Sequence, residues 1–225
     1  MSTGKLEIGY WKIRGLGAPL RMMATYAGVE YENKMYTSGE EWFGEKKPEI
    51  LKKNPLANLP YVIDGDKVVC QTNSCMVYLA EKFGFYGGIK DLELLCEIYD
   101  LRNSMIELVY PFKKVNRTPE EFAASTEPQC SAVVTKYYAK FNGFLGKTKY
   151  LLKDTPCASD FHLWEMIDQH ECLAIKYGHA SPLANFPALK TYYENFKAEP
   201  KLKPYFNSDV SKIDINSVMG NAYFY

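Results

Sequence analysis

The chain has 225 residues, 47% of them apolar and 24% charged, with 27 basic and 27 acidic side chains giving a formal net charge of zero. That length carries one large domain or two small ones with a sizeable core. The charge balance argues against nucleic acid and anionic membrane as partners, since both select a basic excess.

Lys5 to Trp11 reads as a first strand, with Leu6, Ile8 and Tyr10 on one face. Arg14-Gly15-Leu16-Gly17-Ala18-Pro19 is a turn whose proline suits a first helical turn. Leu20, Met23, Ala24 and Ala27 recur at helical spacing, and Gly28 ends that helix. Glu30 to Met35 is a second short strand, followed by a polar stretch from Ser38 to Lys53 with helical turns. Two apolar runs flanking Asp64-Gly65, from Asn58 to Cys70, predict a β-hairpin. A helix opens at Gln71 or Thr72 and runs through Met76, Leu79 and Phe83, and glycines 84, 87 and 88 punctuate the chain after it.

Beyond Lys90 strand alternation gives way to helical periodicity over residues 91–114, 128–145, 160–177 and 186–198, with Pro111 kinking or ending the first. The aromatic tail after Pro204 has no clear assignment. The predicted order is βαβ, then a hairpin and a helix, then helices only. This is a thioredoxin-like α/β domain over residues 1–83, a linker at 84–89 and an all-α domain over 90–225.

Cys70, Cys75, Cys96, Cys130, Cys157 and Cys172 contain no C-x-x-C pair, so zinc ribbons and dithiol motifs lack their basic unit. MSTGKLEIGYWK holds no apolar leader core and no window is apolar for long enough to span a bilayer. The expected setting is the cytoplasm with free thiols. His162, His170 and Cys172 do not share one helical face, which argues against a metal site. Gly15-Leu16-Gly17 follows a strand, but Leu20 stands at the third glycine position of a dinucleotide fingerprint.

From pattern alone Tyr10 and Trp11 read as strand aromatics, Arg14 as a turn donor and Thr72 as a helix cap. Together, however, Gly9-Tyr10-Trp11-Lys12-Ile13-Arg14-Gly15-Leu16, Asn58-Leu59-Pro60-Tyr61-Val62-Ile63-Asp64-Gly65 and Gln71-Thr72-Asn73 resemble the cytosolic glutathione S-transferases, mu class foremost. The resemblance implies that Tyr10 donates a hydrogen bond to the glutathione sulfur, stabilising the thiolate and lowering the thiol's pKa. It implies a cis Leu59-Pro60 bond, with the Leu59 backbone pairing the cysteinyl part of glutathione like an added strand. Gln71 and Thr72 would hold the γ-glutamyl carboxylate at a helix N-terminus. Trp42 and Lys46 would hold the glycyl end, with Trp11, Arg14 and Asn58 lining the peptide site. Leu16 and Tyr110 would line the pocket for a small apolar electrophile.

The same resemblance implies a homodimer, with Glu107 as the group that reaches a neighbouring subunit, and glutathione as co-substrate without further cofactor. The segment between Tyr36 and Trp42 is shorter than the mu pattern, and that from Lys46 to Asn58 is longer. Sigma-type transferases are therefore the alternative class. Asp160 matches a helix-capping aspartate of the family, whose Ser or Thr partner is Cys157 here. The expected function is glutathione conjugation of electrophiles. A non-catalytic carrier of apolar ligands or structural protein derived from this family, or a glutathione-dependent isomerase or peroxidase, is the alternative.

Overall fold

A computed structural model of the chain describes residues 5–225; the first four, part of the segment read above for a leader, lie outside the described residues. The chain divides into two compact units. One is the chain up to Tyr86 together with Pro200–Ile215, and the other is Gly87–Glu199 with Asn216–Tyr225.

The first unit is built on a four-stranded sheet of order β2-β1-β3-β4. β1 (Leu6–Trp11) pairs in parallel with β2 (Tyr31–Tyr36) and antiparallel with β3 (Tyr61–Asp64), which forms a hairpin with β4 (Lys67–Cys70). Period-2 alternation buries Leu6, Ile8 and Tyr10 on one face. Helices α1 (Gly17–Tyr26) and α3 (Thr72–Phe83) pack against each other and the sheet. A π-helical segment, Glu40–Lys46, leads into the short α2 (Lys47–Leu51). The core on that side is Tyr36, Trp42, Ile50, Ala57, Tyr61 and Cys70. The segment Pro200–Ile215, which the sequence reading groups with the helices, packs with this unit; the Lys201 ammonium lies 4.9 Å from the Tyr26 ring centroid.

The second unit is helical. α4 (Ile89–Val109) ends where Tyr110 turns extended (φ −102°, ψ 116°), as a residue before proline prefers. α5 (Pro119–Pro128) begins nine residues before the helix start expected from periodicity. Its signal is Thr118, whose hydroxyl accepts from Glu121 N at 3.2 Å, with Pro119 at the first helical position. Pro128, having no N–H, is followed by a π-helical stretch, Gln129–Val133, before α6 (Val134–Phe144). α7 (Ala158–Tyr177) is the central helix, buried on every side over residues 158–170. α8 (Pro187–Lys197) closes over it, Tyr193 stacking on Trp164 at 5.6 Å. In the first unit, α9 (Lys203–Phe206) follows.

Candidate functional site

Strand register brings three of the singled-out residues into one row. Gly9 pairs with Tyr61, and Tyr61 pairs with Cys70. Continuing that register by one residue, across the strand ends, aligns Tyr10 with Pro60, which precedes β3, and with Gln71, which follows β4. The Leu59-Pro60 bond is cis.

Tyr10 is 6% exposed and sits next to last in β1. Its ring rests on the backbone of the β1–α1 loop. A Cβ at Gly17 would stand 2.8 Å from the Tyr10 Cδ1, and one at Gly15 would stand 3.0 Å from its hydroxyl. Gly15 also has φ +36°, a conformation side chains disfavour. The loop is fastened from two directions. Arg21, buried in α1, donates to the carbonyls of Ile13 (2.8 Å) and Trp11 (3.2 Å) and to Asn33 Oδ1 (3.0 Å). Arg14 N and Gly15 N donate to the carbonyls of Asp214 (2.7 Å) and Ile215 (3.1 Å). Arg14 itself is buried, as is Leu16, the residue that precedes α1. Sequence reasoning missed Arg21; its signal was a lone guanidinium within the apolar run Leu20–Ala24.

At the other end of the row Gln71 has φ 74° and ψ 134°, a strained backbone for a residue with a side chain. It precedes α3, twelve residues long, and no side chain caps that helix. Thr72 is buried in the first turn. The opening amides and the helix dipole make this end suited to a carboxylate. Between the two ends, Leu59 packs half-buried on the Tyr36–Trp42–Tyr61 cluster, and its N–H donates to Asn58 Oδ1 at 2.9 Å.

The structure does not bring Trp42 and Lys46 into this row. Trp42 is 1% exposed and stacks on Tyr61 at 5.9 Å, on the sheet face opposite Tyr10. Lys46 Nζ lies 3.5 Å from Glu7 and 3.3 Å from Glu49, at a cavity of about 490 Å³ lined by five glutamates. Glu7 also accepts from the Tyr61 hydroxyl, which is 2.7 Å from that of Tyr36. Burial raises both phenols, so they remain protonated donors. Trp11 is half-buried, edge-on to Tyr36 at 6.4 Å and 6.2 Å from the Phe43 ring.

In the helical unit Tyr110 is buried; its hydroxyl accepts from Ser217 N at 3.0 Å, and its ring is 5.0 Å from Phe112. Glu107 is exposed on α4. Among the described residues no three His, Cys, Asp or Glu side chains are arranged to hold a metal, and no helix is long and apolar enough to cross a membrane.

The first unit therefore combines a thioredoxin-like sheet with a buried tyrosine, a cis-proline and an uncapped helix start in one row, and the second is all helical. The N-terminal domain model of the glutathione S-transferases matches residues 6–81, and their C-terminal domain model matches residues 99–209. A class-mu 26 kDa isozyme of Fasciola hepatica is 31% identical over 207 residues, spanning 90% of this chain and 88% of the relative. Glutathione S-transferase Mu 1 of Oryctolagus cuniculus is 28% identical over 210 residues, spanning 90% and 91%. A Pi-class glutathione S-transferase of Onchocerca volvulus has the same fold, with a TM-score of 0.72 at 21% identity over 96% of this chain and 99% of that one. The chain belongs to the glutathione S-transferase family, a family of enzymes.

Proposed function

We propose that the protein is a tyrosine-type, mu-like glutathione transferase that conjugates glutathione to small apolar electrophiles. The observation that carries this is the row of Tyr10, Pro60 and Gln71 across the strand ends. The γ-glutamyl carboxylate lies at the start of α3, held by Gln71 and Thr72. The cysteinyl backbone pairs with Leu59, which requires Asn58 to release the amide it now accepts. The thiol then meets the Tyr10 hydroxyl.

A free thiol with a pKa near 8.5 is mostly protonated at neutral pH. The Tyr10 O–H donates to sulfur and favours the thiolate, while the thiol proton leaves to solvent. The sulfur lone pair forms the C–S bond as a leaving group departs with its electron pair. In a Michael addition the resulting carbanion takes up a proton instead. Glutathione is the co-substrate and no other cofactor is invoked. A homodimer in the cytoplasm, serving detoxification, is the setting the family pattern suggests.

The test is conjugation of glutathione to an activated aryl halide by wild type and Tyr10→Phe. A charge-assisted hydrogen bond contributes about 1.5–3 kcal/mol, so kcat/KM should fall roughly ten- to a hundredfold. The pKa of the bound thiol should rise by about 1–2 units, with the glutathione KM little changed. Glutathione binding without turnover in either protein would instead support a ligand carrier.

A further inference from the structure

Pro60 and Gln71 stand just beyond the β3–β4 ladder, whose last pair is Tyr61 with Cys70. Past that pair Pro60 has no N–H to donate, and Gln71 turns out of the strand at φ 74°. Yet the spacing here matters. The glutathione reading places the cysteinyl backbone on Leu59, next to Pro60, and the γ-glutamyl carboxylate at the start of α3.

Cys75 spans this gap. It is fully buried in α3, with its Sγ 3.4 Å from the Val69 carbonyl oxygen and 3.7 Å from that of Pro60. Its own N–H donates to the Gln71 carbonyl at 2.9 Å. One residue therefore touches both Pro60 and Gln71, and the end of β4 as well. Burial holds the thiol well above its ordinary range, so the sulfur keeps its proton and donates it, shared between the two carbonyls. An aliphatic side chain would fill the same space and supply no donor.

We propose that Cys75 is a positioning residue for glutathione: its thiol and its amide fix the Pro60 and Gln71 carbonyls, and so set the spacing between the strand-like edge at Leu59 and the start of α3. Cys75 does not touch the peptide itself. This rests on the glutathione reading above.

The probe is S-methylglutathione, whose thioether cannot ionise, so its affinity reports the peptide site and not thiol activation by Tyr10. Its Kd is measured by calorimetry for wild type, Cys75→Ala, Cys75→Val, Cys75→Ser and Ala80→Gly, with thermal melts to show that each is folded. Alanine and valine both lack the donor, the second filling more of the space. Ala80→Gly weakens the same buried helix away from Pro60 and Gln71. Cys75→Ala and Cys75→Val should each bind about three- to tenfold more weakly, the range of one neutral hydrogen bond, and Cys75→Ser should lose less than either. The glutathione KM should rise by the same factor while kcat stays within about twofold of wild type, the pattern of a contact that serves ground state and transition state alike. Ala80→Gly should keep the wild-type Kd. Wild-type affinity in a folded Cys75→Ala or Cys75→Val, a serine variant as weak as alanine, or an equal loss in Ala80→Gly overturns the assignment and leaves the transferase reading intact. Failure of wild type to bind S-methylglutathione overturns that reading and this inference with it.

Discussion

At the scale of single residues, the site depends on atoms that are missing. Alanine is ordinarily the better helix former, by about 1 kcal/mol over glycine. At Gly17 its methyl would press on the Tyr10 ring at 2.8 Å and on Arg21 Nη2 at 2.9 Å, and neither side chain is a loose surface group. Overpacking of a dense core costs about 1–3 kcal/mol, so the clash wins. Gly17→Ala should unfold at lower denaturant and lose more conjugation activity than stability, because Tyr10 itself is displaced; paired melts and kinetics check this. That Tyr10, Pro60 and Gln71 come together across the strand ends was legible because each sits in an ungapped motif whose register the strands preserve. The burial of Trp42 was not, because spacing shows burial only if helical phase is known, and a π-turn changes the phase. Arg21 was hidden for another reason: composition cannot distinguish a solvated guanidinium from one that holds three oxygens inside a helix–sheet interface.

Elements were most readable where local chemistry forces the backbone. Asp64-Gly65 between two apolar runs produced the hairpin, and the cluster of glycines after Phe83 closed α3. α5 was overlooked because it is polar on most sides, burying only Phe122 and Thr126, so its start rests on Thr118-Pro119-Glu120-Glu121 and not on periodicity. The start of α7 gives an element-scale prediction. Asp160 accepts from Cys157 N at 2.7 Å and from Leu151 N at 3.0 Å, forming one half of a capping box. Asp91 on α4 accepts from Ala158 N and Ser159 N at 3.1 and 2.9 Å. The weak component is Cys157. Burial pushes its thiol up to about 12, leaving a protonated sulfur that accepts poorly. Cys157→Ser should add about 1 kcal/mol, raising Tm by roughly 2–4 °C in a chain of this size. Calorimetry reads it directly, and an unchanged or lower Tm would show that the sulfur's packing outweighs the gain from a stronger cap.

For the whole molecule, global stability should depend on pH through groups that never reach solvent. His162 is fully buried in α7, and neither ring nitrogen has a hydrogen-bond partner among the described residues. Burial, with the nearby Arg102 charge, lowers its pKa to about 3, and burial lowers that of His170 to about 4. Below about pH 6.5 the unfolded chain therefore binds protons that the folded one refuses. The stability these imidazoles confer is complete above that pH and is lost as pH falls toward 3–4. Through His162 alone the loss at pH 5 is roughly 2 kcal/mol. Asp160 acts in the opposite sense. Burial, reinforced by the charge of Asp91, raises it to about 7, so its contribution weakens as pH climbs from about 4 to 7. Chemical denaturation of wild type and His162→Phe between pH 4 and 7 separates the two. The variant should show a shallower acid loss and an unaltered response near neutrality; parallel curves would remove His162 from the account.

The fastening of the Tyr10 loop by Asp214 and Ile215 ties the first strand of the sheet to a segment that follows the whole run of helices α4 to α9. A ribosome emits Tyr10 well before those two carbonyls, with the helical elements α4 to α9 in between. The loop thus acquires these two acceptors only after the helices have been made, and a chain interrupted before them would display the sheet with its β1–α1 loop unfastened on that side.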